Sequence, residues 1–185
     1  MQDMRDLLVE EMQDLYDAEK QLVKALPKMV KAASNPELRQ AIASHLEETQ
    51  GHVQRLEQAF ELLGEKPKSK PCAAMKGLIQ EAQETIQEDM PDALHDSAII
   101  CAAQKVEHYE MSGYGTLSAW AKKIGLDDVA GLLDATLAEE RAADDKLTEV
   151  GQEVLAEAES GDPVSVGKKG TDSKHTRAGA KRRAG

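Results

Sequence analysis

Six carboxylates and two imidazoles stand at positions of this chain where side chains spaced in steps of three and four should be apolar. In the first such run the order is Leu8, Met12, Leu15, Glu19, Leu22, Leu26, Met29, so Glu19 lies inside an otherwise hydrophobic seam. A second run reads Leu38, Ala41, His45, Glu48, His52, Leu56, Ala59. A third reads Ile100, Ala103, Glu107, Glu110, Tyr114, Leu117, and a fourth Val129, Leu133, Thr136, Glu140, Asp144, Leu147. Buried carboxylates without partners cost several kcal/mol and are avoided or protonated, and several facing one another repel. The inward positions hold no Lys or Arg to offset them. Divalent cations would: hard metals take oxygen ligands, and carboxylates can be shared between two of them. His45 and His52 would then serve as ligands or as groups that orient ligands.

The elements that must carry these residues are helices, because the apolar period is 3.6 throughout. The first is expected over residues 3–33. Asn35 and Pro36 then form a cap and a first helical position for a second helix reaching about Leu63, which Gly64 ends. Two helices of about 30 residues joined by so short a turn fold back as a hairpin about 45 Å long. Pro67 and Pro71 forbid simple continuation, and the connection from Gly64 to Asp92 carries its own short amphipathic helix with Met75, Leu78, Ile79, Ala82 and Ile86 on one side. Long helices over about 91–123 and 126–158, separated by a turn at Gly125, make the second hairpin. Two hairpins joined by a long crossover close a bundle in the ferritin-like way. The fold class expected is therefore all-α: a ferritin-like four-helix bundle whose crossover carries a short fifth helix.

Composition agrees with this. Hydrophobic residues make up 41% of the chain and aromatic residues 3%, so the core is built from Leu, Ala, Val, Ile and Met, a helical palette. The net charge is −11, but residues 168–185 hold seven basic residues and one acidic one, a local +6 that leaves −17 for residues 1–167. The body, expected over residues 1–160, does not present the basic face that nucleic-acid binding requires. Residues 161–185 are expected to be a disordered basic tail, and contact with nucleic acid is expected, if anywhere, only there. No apolar run reaches membrane-spanning length and the N-terminus does not read as a signal peptide, so a cytoplasmic protein is expected. Cys72 and Cys101 lack metal or disulfide spacing and read as ordinary reduced thiols.

Several segments resemble the YciE/YciF stress-protein family of the ferritin-like superfamily: DLYDAEKQL (Asp14 to Leu22), HLEET (His45 to Thr49), CAAMKGLIQEA (Cys72 to Ala82), AAQKVEHYE with YGTL (Ala102 to Leu117), and LAEERAADDKLTE (Leu137 to Glu149). The likeness covers about residues 3–155. It implies a five-helix fold, a homodimer, a di-iron site and expression under stress. Carried across, the superfamily pattern assigns Glu19, Glu48, Glu107 and Glu140 as principal ligands. The pattern follows two of these with a His three residues on, whereas this chain has Gly51 and Ala143 there. Glu110 and Asp144, then His45 and His52, are the neighbours placed to complete the site.

Two functions follow as expectations. The first is a di-iron oxidase or ferroxidase that holds two Fe ions, with Mn as a variant, and reacts with O2 or peroxide in stress protection. The second is a metal-independent helical structural or interaction protein. Tyr16, Tyr109 and Tyr114 lie within a turn of the acidic positions, where a tyrosine either relays an electron or simply packs in the core.

Overall fold

The computed structural model describes residues 2–160, which form five helices: α1 (Met4–Ala32), α2 (Pro36–Leu62), α3 (Ala73–Gln87), α4 (Asp92–Lys123) and α5 (Asp127–Ser160). Among these residues there is no strand, and no helix is long and apolar enough to cross a membrane. The basic tail expected over residues 161–185 lies outside the described residues.

The helix ends form where the sequence supplies the chemistry for them. Asp3 accepts the Asp6 N–H at 2.9 Å and opens α1. Asn35 accepts the N–H groups of Glu37 and Leu38 at 2.8 and 3.0 Å, with Pro36 in the first turn of α2. These bonds satisfy donors that a helix start leaves without intrahelical partners. Gly64 and Gly125 end α2 and α4 with φ of +69° and +76°, the left-handed conformation that only glycine adopts at little cost. α3 is opened by Cys72, whose Sγ lies 3.4 Å from the Met75 N–H.

α1, α2, α5 and α4 pack in that order around a closed ring, and α3 lies across α1 and α4. Arg5 Nη2 donates to the Leu63 carbonyl at 2.7 Å, which sets the start of α1 beside the end of α2. At the opposite end, the Asp96 carboxylate accepts the Ser34 and Asn35 N–H groups at 2.8 and 2.7 Å. α4 therefore begins beside the α1–α2 turn, and the segment bearing α3 has to run back along the bundle to reach it. This is the long crossover that the hairpin lengths call for.

The core is divided. One apolar cluster holds Leu22, Leu26, Met29, Ile42, Ile99 and Val150 among others, and a second holds Leu8, Met12, Leu56, Phe60, Tyr114 and Leu133. On every long helix the change from one cluster to the other falls in mid-length: between Tyr16 and Ala18 on α1, Leu46 and Val53 on α2, Val106 and Met111 on α4, and Leu137 and Leu147 on α5. The interrupting acidic and histidine residues lie in or directly beside that change, as a polar layer between two apolar plugs.

Asp96 is itself 2% exposed, so losing its side chain leaves two backbone donors without partners. Asp96→Ala is expected to destabilise the fold by about 2 kcal/mol or more, with Asp96→Asn intermediate, read from urea midpoints.

Candidate metal centre

Burial of the polar layer follows from the helix register. The inward stripe of α2 runs Leu38, Ile42, His45, Thr49, His52, Leu56, Ala59. It departs from the expected stripe at two places: Ile42 and Thr49 turn inward in place of Ala41 and Glu48. Steps of four and three alternate strictly from Leu38, and that alternation carries Glu48 off the seam. Its side chain is 43% exposed, although it stays beside His45. The other three helices place Glu19, Glu107, Glu110 and Glu140 inward as expected, each no more than 2% exposed, and His45 and His52 join them from α2 at 6% and 0%.

These six residues make two groups that share one carboxylate. His45, Glu107, Glu110 and Glu140 can each offer one ligand atom to a common point, and so can Glu19, His52 and Glu140, with all the atoms of a group within 4.8 Å of one another. His45 Nε2 lies 3.4 Å from Glu107 Oε1 and 3.8 Å from Glu140 Oε2. His52 Nδ1 lies 2.9 Å from Glu140 Oε1 and 3.5 Å from Glu19 Oε1. The 2.9 Å approach sets a ring that carries a proton against a carboxylate, an ion pair inside the layer.

Each imidazole has an outer nitrogen turned to a peripheral carboxylate. His52 Nε2 meets Glu139 Oε2 at 2.8 Å, and Arg55 holds Glu139 with two bonds of 2.9 Å while also donating to Thr136 at 2.7 Å. His45 Nδ1 faces Glu48 Oε2 at 3.5 Å. Carboxylates that hold the far nitrogen of a ligating histidine fix its ring and tautomer. Glu48 thus occupies the orienting place for His45, and it belongs to neither ligand group. Asp144 also stands outside them, at 19% side-chain exposure, accepting from Gln104 at 3.1 Å and facing His108 at 3.3 Å. His108 is exposed.

Arg55 and Glu139 were not singled out in the sequence. Arg55 is three residues past His52 and Glu139 immediately precedes Glu140, and both read there as ordinary solvated charges. Thr49 and His52 stand in the i, i+3 relation of the Glu-x-x-His motif, one residue on from the expected pair, with Thr in the Glu position. The Thr49 hydroxyl donates to the His45 carbonyl at 2.7 Å, within its own helix. Of the three tyrosines, Tyr114 touches the site, donating to Glu19 Oε1. Tyr16 donates to Glu57 at 2.7 Å, and Tyr109 donates to Asp14 with its oxygen 3.0 Å from Cys72 Sγ. Both cysteines are free, Cys72 buried and Cys101 exposed.

Eight buried side-chain atoms among the described residues lack a hydrogen-bond partner, and all eight belong to these six residues. Buried polar groups are otherwise almost always satisfied, so this concentration marks a place for a partner from outside the chain, a cation or water. Burial, reinforced by Glu140, raises Glu107 well above the ordinary carboxylate value of 4.5, and burial with Glu19 and Glu140 does the same to Glu110. Burial raises Glu19 against the contacts from His52 and Tyr114. Burial opposes charge on His52, yet the Glu140 and Glu19 carboxylates outweigh it and push the ring up to about 10. Burial would raise Glu140 too, but the cation on His52 prevails and holds it low. Oxygen-rich groups with one imidazole each, joined by a common carboxylate and starved of positive charge, fit a pair of divalent metal ions.

The family model described as a domain of unknown function (DUF892) matches residues 3–159. Protein YciF of Escherichia coli (strain K12) is 46% identical over 151 residues, 81% of this chain and 91% of that protein. The crystal structure of that stress protein superposes with a TM-score of 0.82 at 44% identity, covering 84% of this chain and 99% of the other. YcfI of Rhodopseudomonas palustris, for which a structural role has been suggested, superposes at 0.78 with 50% identity, covering 80% and 94%. A protein of Xanthomonas campestris pv. campestris, 24% identical with a TM-score of 0.65, shares the fold. The chain therefore belongs to the YciE/YciF stress-protein family, the family described by the DUF892 model.

Proposed function

We propose that the protein is a di-metal carboxylate oxidase of the ferroxidase type, holding two iron ions, with manganese as the alternative. The observation that carries the reading is the set of eight orphaned buried atoms on two ligand groups that share Glu140. On this reading one ion is held by His45, Glu107, Glu110 and Glu140 and the other by Glu19, His52 and Glu140. Iron bound there supplies one-electron redox chemistry toward O2 or peroxide. The rest is the work of the chain. Glu139 and Arg55 hold the outer face of His52 so that its inner nitrogen points at the site, and Glu48 stands in the same relation to His45. Tyr114 holds one oxygen of Glu19 and leaves the other free. Glu107 and Glu110, which hold their protons in the metal-free state, release them as a cation takes their place. The apolar plugs above and below close the layer to water along the bundle axis.

The competing reading, a metal-independent helical protein, is favoured by the structural role suggested for the Rhodopseudomonas palustris relative. Metal binding separates the two. Anaerobic titration of metal-free protein with Fe(II) is expected to saturate near two equivalents per chain, and admission of air to bring up the absorbance of an oxo-bridged ferric pair. Glu140→Gln should weaken binding by at least about tenfold. Absence of both Fe(II) and Mn(II) binding would sink the proposal and leave the structural reading.

Glu139→Ala tests the orienting layer. It is expected to cost about 10–100-fold in metal affinity while helicity is preserved. An unchanged affinity would remove Glu139 from the account of the site.

Proton competition gives a third test. Glu107, Glu110 and His52 bind protons more tightly folded than unfolded, so their contribution is complete below their ordinary values of 4.5 and 6.5 and is lost as pH rises through the folded ones, about 10 for His52. Glu139 and Glu140 are shifted down and act oppositely, but only below 4.5. The Tm of metal-free protein should therefore fall by about 5 °C or more between pH 5 and pH 9, and bound Mn(II) should flatten that slope. A metal-free Tm that rises over this range would contradict the charge assignment.

A further inference from the structure

Beside the polar layer, between the first half of α2 and the second half of α5, lies a cavity of about 420 Å3. Its walls are apolar: Leu26, Ala41, Ile42, Ala103, Ala143 and Leu147. It exists because the two helices face each other through small side chains there, Ala41 and Ser44 on α2 against Ala142 and Ala143 on α5, which leave the space between them unfilled. An unfilled apolar space costs stability, and filling it would be an easy gain.

At its inner end the cavity reaches His45 and Glu107, which are 6% and 2% exposed and carry two of the orphaned atoms, His45 Nδ1 and Glu107 Oε2. Glu37, Glu48 and Lys146 stand at its rim, and Lys146 is already engaged by Glu149 at 2.9 Å. The opening is thus acidic and the interior hydrocarbon-like, with unpaired polar atoms at the far end. Its volume falls in the range of small-molecule sites, and an apolar space of this kind accepts hydrocarbon in preference to water.

We propose that this cavity binds a small organic molecule with a hydrocarbon body and a hydrogen-bond-donating head, an alcohol or an amine, and brings it against His45 and Glu107. The head meets Glu107 Oε2, an acceptor oxygen that the protein itself leaves without a donor, beside the His45 ring, and the acidic rim selects against carboxylates. The inference rests on the polar layer being where the chemistry occurs, and it names the class of molecule admitted there.

The test is calorimetric titration of full-length protein, metal-free and with Mn(II), using 1-octanol, n-octylamine and octanoate as probes. The alcohol or the amine is expected to bind one per chain to metal-free protein, and octanoate at least about tenfold more weakly. Ala143→Phe, which fills the cavity from α5, should lower that affinity by at least about tenfold with Mn(II) stoichiometry unchanged. If that variant fails to fold, Ala41→Leu fills the space from the opposite wall and carries the same expectation. Binding of neither the alcohol nor the amine, equal binding of octanoate, or undiminished binding by the filled variant overturns the proposal. Mn(II) binding without probe binding would remove the cavity proposal alone, whereas probe binding by a protein that binds neither Mn(II) nor Fe(II) would leave the cavity standing and remove the di-metal reading.

Discussion

Four carboxylates and two imidazoles enclosed in the middle of a helical bundle set the terms for everything around them. A buried carboxylate is expensive, and four within reach of one another add repulsion to the desolvation cost. Among the described residues no Lys or Arg is buried to oppose them. The internal relief is the His52 cation against Glu140, the Tyr114 hydroxyl on Glu19, and protons kept on Glu107 and Glu110. The two apolar plugs on either side therefore have to supply the stability that this layer consumes, and the crossover exists so that four helices can contribute to it at the same height.

Around the layer runs a ring of residues that belong to neither ligand group. The Arg55–Glu139 pair grips the outer nitrogen of His52, Glu48 faces the outer nitrogen of His45, and Tyr114 holds Glu19 from the second apolar cluster. Such contacts have little to give a bundle whose core merely needs filling, but they have a clear role where the direction of an imidazole lone pair matters. Proteins depart from local consistency at functional sites and compensate elsewhere. Here the departure is the polar layer, and the compensation lies in the caps at Asp3 and Asn35 and in the plugs.

The α2–α5 seam departs in a second way. Small residues on both helices leave a cavity, and it opens toward His45 and Glu107 instead of toward a surface remote from the layer. The polar layer and the cavity are thus two parts of one arrangement, with His45 and Glu107 common to both.

The hydrophobic period of the sequence determined the helices, their lengths and the crossover, because an amphipathic stripe and its caps are local properties of the chain. It also placed Glu19, Glu107, Glu110 and Glu140 inward, since runs of apolar residues on both sides leave a single choice of face. On α2 the local pattern was ambiguous: Ala41 or Ile42, and Glu48 or Thr49, satisfy a three-or-four spacing equally well. Only packing against α1 and α5 decided that Ile42 and Thr49 face in. The Arg55–Glu139 pair spans more than 80 residues and two helices, and its members look like ordinary surface charges until those helices are side by side. The cavity was equally hidden, because Ala41, Ala142 and Ala143 signal good helix formers in sequence and Ser44 an ordinary surface position. Empty space is a property of two surfaces facing each other, and it came into being only when α2 and α5 were brought together.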